Sequence, residues 1–261
     1  MTIISSKDNP VFKETEKLIK SSKMRKKTGL FTAEGFRIVN DAVLSGCKIK
    51  YFIFSESACD KYNEFFSQCR NNGEKMYVFS DSLYSKISDT FTPQGMLACI
   101  SRLDKNCLFD KIKLGGKYIA LENIQDPGNM GTVFRTAEAL GIDGIVLSKD
   151  CCDVYSPKVV RGTMGAVFRM PFSVVDDLGD FISGNRQLDS YAAVVTPDCE
   201  KAGSVKFSPN CITVIGNEGN GLTESSISAC GRKITIPMGG RAESLNASVA
   251  AGILIWEMMR E

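Results

Sequence analysis

Apolar positions along this chain switch repeatedly between helical and strand periods. From Val11 to Ser22 the residues Val11, Phe12, Thr15, Leu18 and Ile19 recur at helical spacing, with lysines on the other face. Leu30 to Ala33 reads as a short strand, and Glu34-Gly35 opens a helix through Leu44. Lys50 to Phe54 predicts a strand, Cys59 to Arg70 a helix and Lys75 to Phe79 another strand. After a helical turn near Leu83 to Ile87, Gly95 to Ile100 gives a further strand. Strands and helices that alternate this way imply a small α/β domain.

A second series starts at Lys117. Its predicted strands are Tyr118 to Leu121, Gly144 to Leu147, Tyr191 to Val195, Cys211 to Ile215 and Lys233 to Ile236. Its predicted helices are Gly131 to Leu140, Asp177 to Ser183, Thr223 to Ala229 and Leu245 to Met259. The strands are short, apolar and β-branched, the pattern of a parallel sheet covered on both faces. Between the series, Leu103 to Gly116 mixes charges and ends in Gly-Gly, as linkers do. The pattern therefore predicts an α/β chain with a domain over 1–102, a linker over 103–116 and a domain over 117–261.

At 261 residues the chain suits two domains, and 43% hydrophobic with 24% charged residues can bury a real core. No apolar stretch reaches the roughly 20 residues that a membrane span needs. The start, Met1 to Asn9, lacks the apolar run of a secretory signal. Ten cysteines are scattered without a C-x-x-C pair, which predicts reduced thiols in a cytoplasmic protein. The chain has no histidine, which excludes Ser-His-Asp hydrolysis and His-based zinc sites; no metal site is expected. The net charge of +2 hides an asymmetry. Residues 1–50 hold eleven Lys/Arg against five Asp/Glu, an excess that suits either a polyanionic partner or a solvated helix face.

Three segments carry candidate chemistry. Glu122 to Ala137 runs strand, polar turn, helix, with Asn129 near the helix start and Arg135 six residues later. The plain reading is a turn with a cap and a surface charge. The other reading is a ligand site at a strand's carboxyl end. Thr213 to Leu222 places Gly216, Gly219 and Gly221 after an apolar strand, letting the backbone approach a ligand or turn sharply. The spacing is not that of a dinucleotide fingerprint. Ile234 to Ala250 leaves a strand through Gly239-Gly240 into a helix that Ser244 could cap, with Asn246 the odd polar member near its start.

Taken together, Asn123…Asn129-x₅-Arg135, Ile215-Gly216-Asn217-Glu218-Gly219…Gly221 and Ile236-Pro237-Met238…Ser244-Leu245-Asn246-x-Ser248 resemble the three ordered motifs of the SpoU (TrmH-like) RNA 2′-O-ribose methyltransferases. The resemblance spans roughly Lys117 to Arg260. Arg25…Phe31…Glu34-Gly35 resembles the substrate-binding domain that often precedes this catalytic domain.

The resemblance implies a trefoil-knot (SPOUT) α/β domain, a homodimer whose active site draws on both subunits, and S-adenosylmethionine as cofactor. By position, Thr196, Gly216, Glu218, Ile236, Met238, Leu245 and Ala247 would hold the cofactor. Asn129, Arg135, Glu218, Ser244 and Asn246 would form the catalytic set, with Arg135 gripping a phosphate and stabilising an incipient alkoxide. The basic residues Lys23, Arg25, Lys26, Lys27 and Arg37 would contact RNA phosphates. Tyr51, Phe52 and Phe54 would stack on bases or, more simply, fill a core. The expected substrate is ribosomal RNA. The alternatives are transfer RNA, base methylation on the same scaffold, or an RNA-binding assembly factor that has lost catalysis.

Overall fold

The computed structural model describes residues 2–103 and 115–260, so most of the expected linker, residues 104–114, lies outside the described residues. The chain divides into two units. One comprises Met1–Leu103 with Asp153–Phe168, the other Asp104–Cys152 with Arg169–Glu261.

The first stretch runs β1 (Ile3–Ile4), α1 (Pro10–Lys20), α2 (Ser22–Thr28), β2 (Leu30–Glu34), α3 (Phe36–Leu44) and β3 (Ile49–Ser55). It continues with α4 (Glu56–Lys61), α5 (Asn63–Asn71), β4 (Met76–Phe79), α6 (Asp81–Ile87) and β5 (Met96–Ser101). These strands form a mixed sheet in the order β1-β4-β3-β5-β2, with β5 antiparallel to β2 and β3. Tyr51, Phe52 and Phe54 on β3 are buried, so this aromatic run fills the core and is not a base platform.

The basic cluster forms a helix of its own. Ser21 caps α2 through its hydroxyl, and left-handed Gly29 ends it. Winding the cluster into a helix separates its members. Lys23, Lys26 and Lys27 face solvent, whereas Arg25 turns inward and is only 5% exposed. Its guanidinium donates to the Leu18 and Ile19 carbonyls at 2.6 and 3.0 Å and pairs with Asp153 at 2.8 Å. The expectation that Arg25 contacts RNA is therefore corrected, because its donors are spent on the end of α1 and on Asp153.

The later elements are β6 (Lys117–Leu121), α7 (Pro127–Leu140), β7 (Gly144–Ser148), α8 (Pro157–Gly162), α9 (Ala166–Arg169) and β8 (Phe172–Val175). There follow α10 (Leu178–Gly184), β9 (Asp189–Ala193), β10 (Glu200–Lys201), β11 (Cys211–Ile215), α11 (Glu224–Ala229), β12 (Arg232–Thr235) and α12 (Ala247–Met259). The segment containing α8 belongs to the first unit, where Tyr155 packs on Phe31 with ring centroids 4.7 Å apart.

The second unit holds a seven-stranded sheet in the order β10-β12-β9-β11-β6-β7-β8, parallel at every pairing. Every residue of β7 and β11 is buried, which explains their largely apolar composition, with Ser148 and Thr213 the polar members. Cys69, Cys99 and Cys211 are free and buried, and burial pushes their thiols up to about 11, 12 and 11, so they act as small core hydrophobes. Among the described residues no helix is long and apolar enough to cross a membrane.

Candidate active site

Because the sheet is parallel, the carboxyl ends of β6, β9, β11 and β12 share one edge, the edge where α/β sheets place ligands. There a cleft of about 460 Å³ opens, within the range of small-molecule sites. Its floor is apolar, including Leu222, Ile234 and Leu254, and its wall includes Ile236, Met238 and Leu245. Two carboxylates, Glu218 and Glu243, line it, and no lysine or arginine does among the described residues.

The loop after β11 folds back on itself. Asn217 and Gly221 exchange backbone hydrogen bonds at 3.0 Å, and the Asn217 side-chain oxygen accepts from the backbone of Gly219 and Asn220. A Cβ on Gly216 would lie 2.3 Å from the Gly221 carbonyl carbon, so only glycine permits this return.

Three ties fasten this loop to the segment after β6. The buried Glu122 carboxylate accepts from the Thr223 backbone and hydroxyl and from the Ser226 hydroxyl, at 2.8, 2.9 and 2.5 Å. Asn217 donates its amide to the Asn123 carbonyl at 2.7 Å, with Asn123 held at φ +54°. Glu218 accepts from the backbone of Gln125 and Asp126 and from the Asn129 amide, at 3.2, 3.1 and 2.9 Å. Burial pushes the Glu218 carboxyl up, but the bonds from Asn129 and the backbone outweigh it and hold the group below its usual 4.5. It is a charged clasp at neutral pH, its oxygens committed to the Asn129 amide and the backbone of Gln125 and Asp126.

The chain of amides continues. Asn129 oxygen accepts from the Asn246 amide at 3.0 Å, and Asn246 oxygen accepts from the backbone of Ser248 and Val249. The structure thus brings Asn129, Glu218 and Asn246 together. Arg135 lies on α7, roughly 9 Å along the axis from Asn129. Its side chain is exposed and makes no ion pair or hydrogen bond among the described residues.

Of the expected cofactor residues, Gly216, Glu218, Ile236, Met238, Leu245 and Ala247 all line the cleft, as does Ser244. Thr196 does not. Strand β9 ends at Ala193, so Val194 and Val195 form the wall, and the Thr196 hydroxyl turns away to Asp198 at 2.5 Å. Ser244 is not the cap of α12; that residue is Asn246, which combines the cap with its bond to Asn129. Lys23, Lys26, Lys27 and Arg37 are exposed in the first unit. Glu122 and Asn217 were missed by sequence reasoning. An acid at the end of an apolar strand and an asparagine inside a glycine loop are the signals that would have found them.

Residues 116–256 match the SpoU rRNA Methylase family, and residues 9–98 match the MRM3-like substrate binding domain. A 23S rRNA (guanosine(2553)-2′-O)-methyltransferase of Bacillus subtilis is 30% identical over 265 residues, covering 99% of both chains. A 23S rRNA (uridine(2479)-2′-O)-methyltransferase of Streptomyces viridochromogenes is 26% identical, covering 97% of this chain and 90% of its own. The crystal structure of an AdoMet-bound rRNA methyltransferase from Sinorhizobium meliloti superposes with a TM-score of 0.87 at 29% identity, covering 98% of this chain and 97% of that one. The fold class is accordingly α/β, a substrate-binding domain ahead of a trefoil-knot (SPOUT) methyltransferase domain. With its motifs laced together at the sheet edge and its length matched from end to end, the chain belongs to the SpoU rRNA methylase family.

Proposed function

We propose that the protein transfers a methyl group from S-adenosylmethionine to a ribose 2′-hydroxyl of ribosomal RNA. The observation that carries this reading is the charge of the cleft: two carboxylates and no basic residue among the described lining. Such a site repels phosphates, which argues against a nucleotide or dinucleotide cofactor, and suits a nucleoside with a cationic sulfonium and ammonium. The apolar wall fits a purine, and the close backbone of 216–221 offers amides and carbonyls to its edges and ribose. When bound, the cofactor supplies an electrophilic methyl group.

The remaining chemistry falls to the chain. The 2′-hydroxyl is a poor nucleophile and must be held in line with the methyl group. It must also lose its proton to solvent as the oxygen–methyl bond forms and the methyl–sulfur bond breaks. Arg135, exposed and unpaired, is free to grip the phosphate beside the target ribose and to stabilise charge developing on its oxygen. The amides of Asn129 and Asn246 and the Glu218 carboxylate fix the turn from which α7 starts, and so fix where Arg135 stands.

The resemblance also supports a cytoplasmic homodimer. Val249 and Trp256 on α12 are 50% and 57% exposed, and with Ile253 they form an apolar stripe at helical spacing that a second copy would cover.

The test is incubation with tritium-labelled S-adenosylmethionine and separate unmodified ribosomal and transfer RNA. Label in ribosomal RNA, recovered as a 2′-O-methylated nucleoside, is expected. Label only in transfer RNA overturns the substrate, and label on a base overturns the chemistry. Arg135→Ala should lower the single-turnover rate by a factor of about 10² or more while cofactor affinity stays unchanged.

A further inference from the structure

We propose that Phe91, at the tip of the loop joining α6 to β5, is a stacking platform for an unpaired base of the RNA, with Arg37, which follows the corner that holds this loop, gripping a phosphate. The inference rests on the RNA reading above. Phe91 is fully exposed, at 103%, whereas every other Phe and Tyr of the first unit is buried or half-buried.

The loop that carries Phe91 is fastened at both ends to one corner, Glu34-Gly35-Phe36. At the near end the Glu34 carboxylate, 7% exposed, accepts from the Ser88 hydroxyl, from the Asp89 backbone at 3.0 Å and from the Thr90 hydroxyl at 3.3 Å. At the far end Phe36 donates its backbone N–H to the Gln94 side chain at 2.9 Å, and Gly35 donates to the Met96 carbonyl at 2.8 Å. Gly95 sits so tightly that a Cβ there would lie 2.4 Å from the Ser55 hydroxyl oxygen. Asp89 is further held by Arg161 at 2.8 Å. The next residue after the corner is Arg37, exposed in the first turn of α3 and without an ion pair among the described residues.

A buried carboxylate and a side-chain amide thus hold the loop of an exposed aromatic ring, and an arginine without an ion pair among the described residues follows the same corner in sequence. Pinning removes the ordering entropy that a slack loop would lose on binding. A ring and a cation at one corner match an unpaired nucleotide, whose base presents a flat face and whose phosphate lies a few ångströms away. The flanking residues Asp89, Thr90, Thr92 and Gln94 are polar, with Pro93 the one apolar neighbour in sequence, so the loop itself offers little apolar surface besides the ring.

The experiment measures binding of the full chain to ribosomal RNA transcribed in vitro, across a salt series. Phe91→Ala should weaken affinity about fivefold to a hundredfold with no change in the slope of log affinity against log salt. Phe91→Trp should restore binding and Phe91→Leu should not. Arg37→Ala should flatten the slope by about one. Melting temperature, cofactor affinity and the single-turnover rate at saturating RNA should be unchanged in Phe91→Ala. Affinity of Phe91→Ala within about twofold of wild type assigns the ring to some protein contact and overturns the proposal, as does full binding by Phe91→Leu. Failure of the wild-type chain to methylate RNA would sink the proposed activity instead; the binding ratios still decide Phe91.

Discussion

Replacing Arg25 by methionine is expected to unfold the first unit more readily while leaving RNA affinity alone. The guanidinium makes two bonds to carbonyls at the end of α1 and one to Asp153, and the side chains of the pair are 6% and 18% exposed. Removing one member of a buried pair costs about 3–5 kcal/mol, mostly because the other charge is stranded. Partial exposure of Asp153 puts the expected loss near the lower figure. Two orphaned carbonyls each add about 1 kcal/mol, the low end of the cost of an unsatisfied buried group. The thermal transition of the first unit should then fall by roughly 15–30 °C. The Arg25→Met, Asp153→Asn double variant should lose less than the sum of the two singles, because neither charge is stranded. Calorimetry reads these differences, and a salt series of RNA binding reads the phosphate contacts. An Arg25→Met chain melting within about 2 °C of wild type but binding RNA with a shallower salt slope would refute the reasoning and return Arg25 to the RNA surface.

Gly216→Ala should fold but bind cofactor at least tenfold more weakly by calorimetric titration, because its Cβ would displace the backbone at Gly221. The Glu218 carboxyl lies below 4.5 in the folded chain, so the stability its clasp contributes is complete above pH 4.5 and is lost as pH falls through the folded value. Glu218→Gln should therefore show a shallower acid decline in melting temperature, and an unchanged decline would count against the clasp. Trp256→Glu places a charge in the apolar stripe of α12 and should shift the sedimentation profile from dimer to monomer. A wild-type chain sedimenting as a monomer would remove the dimer from the proposal.

Strands with both faces buried were easy to read, since Ile119 to Leu121 is wholly apolar and Cys211 to Ile215 is broken only by the β-branched Thr213. Strand β8 was harder: it is an edge strand, and Val174 on it is 46% exposed, so its pattern resembles a loop. The cleft loops were legible because glycine and asparagine cluster where the backbone turns tightly. The fate of Arg25 was not. Its partner Asp153 lies 128 residues away, and nothing local distinguishes an inward arginine from the lysines around it. Thr196 falls outside the cleft lining because β9 stops two residues before its apolar run does, at Ala193 instead of Val195. Phe91 looked like any loop residue until the ties from Glu34 and Gln94 were visible.

The tie between Glu122 and Thr223 also sets a timetable. The two residues are 101 apart in the chain, so at 5–20 residues per second Glu122 is synthesised roughly 5–20 s before its partners exist. Throughout that interval its carboxylate must stay hydrated, and the carboxyl end of β6 cannot be sealed. Asn246, which completes the amide chain through Asn129, is synthesised later still. The cleft is therefore among the last features a growing chain completes, and one that stalls short of Ser226 has the strand but nowhere for a cofactor to lodge.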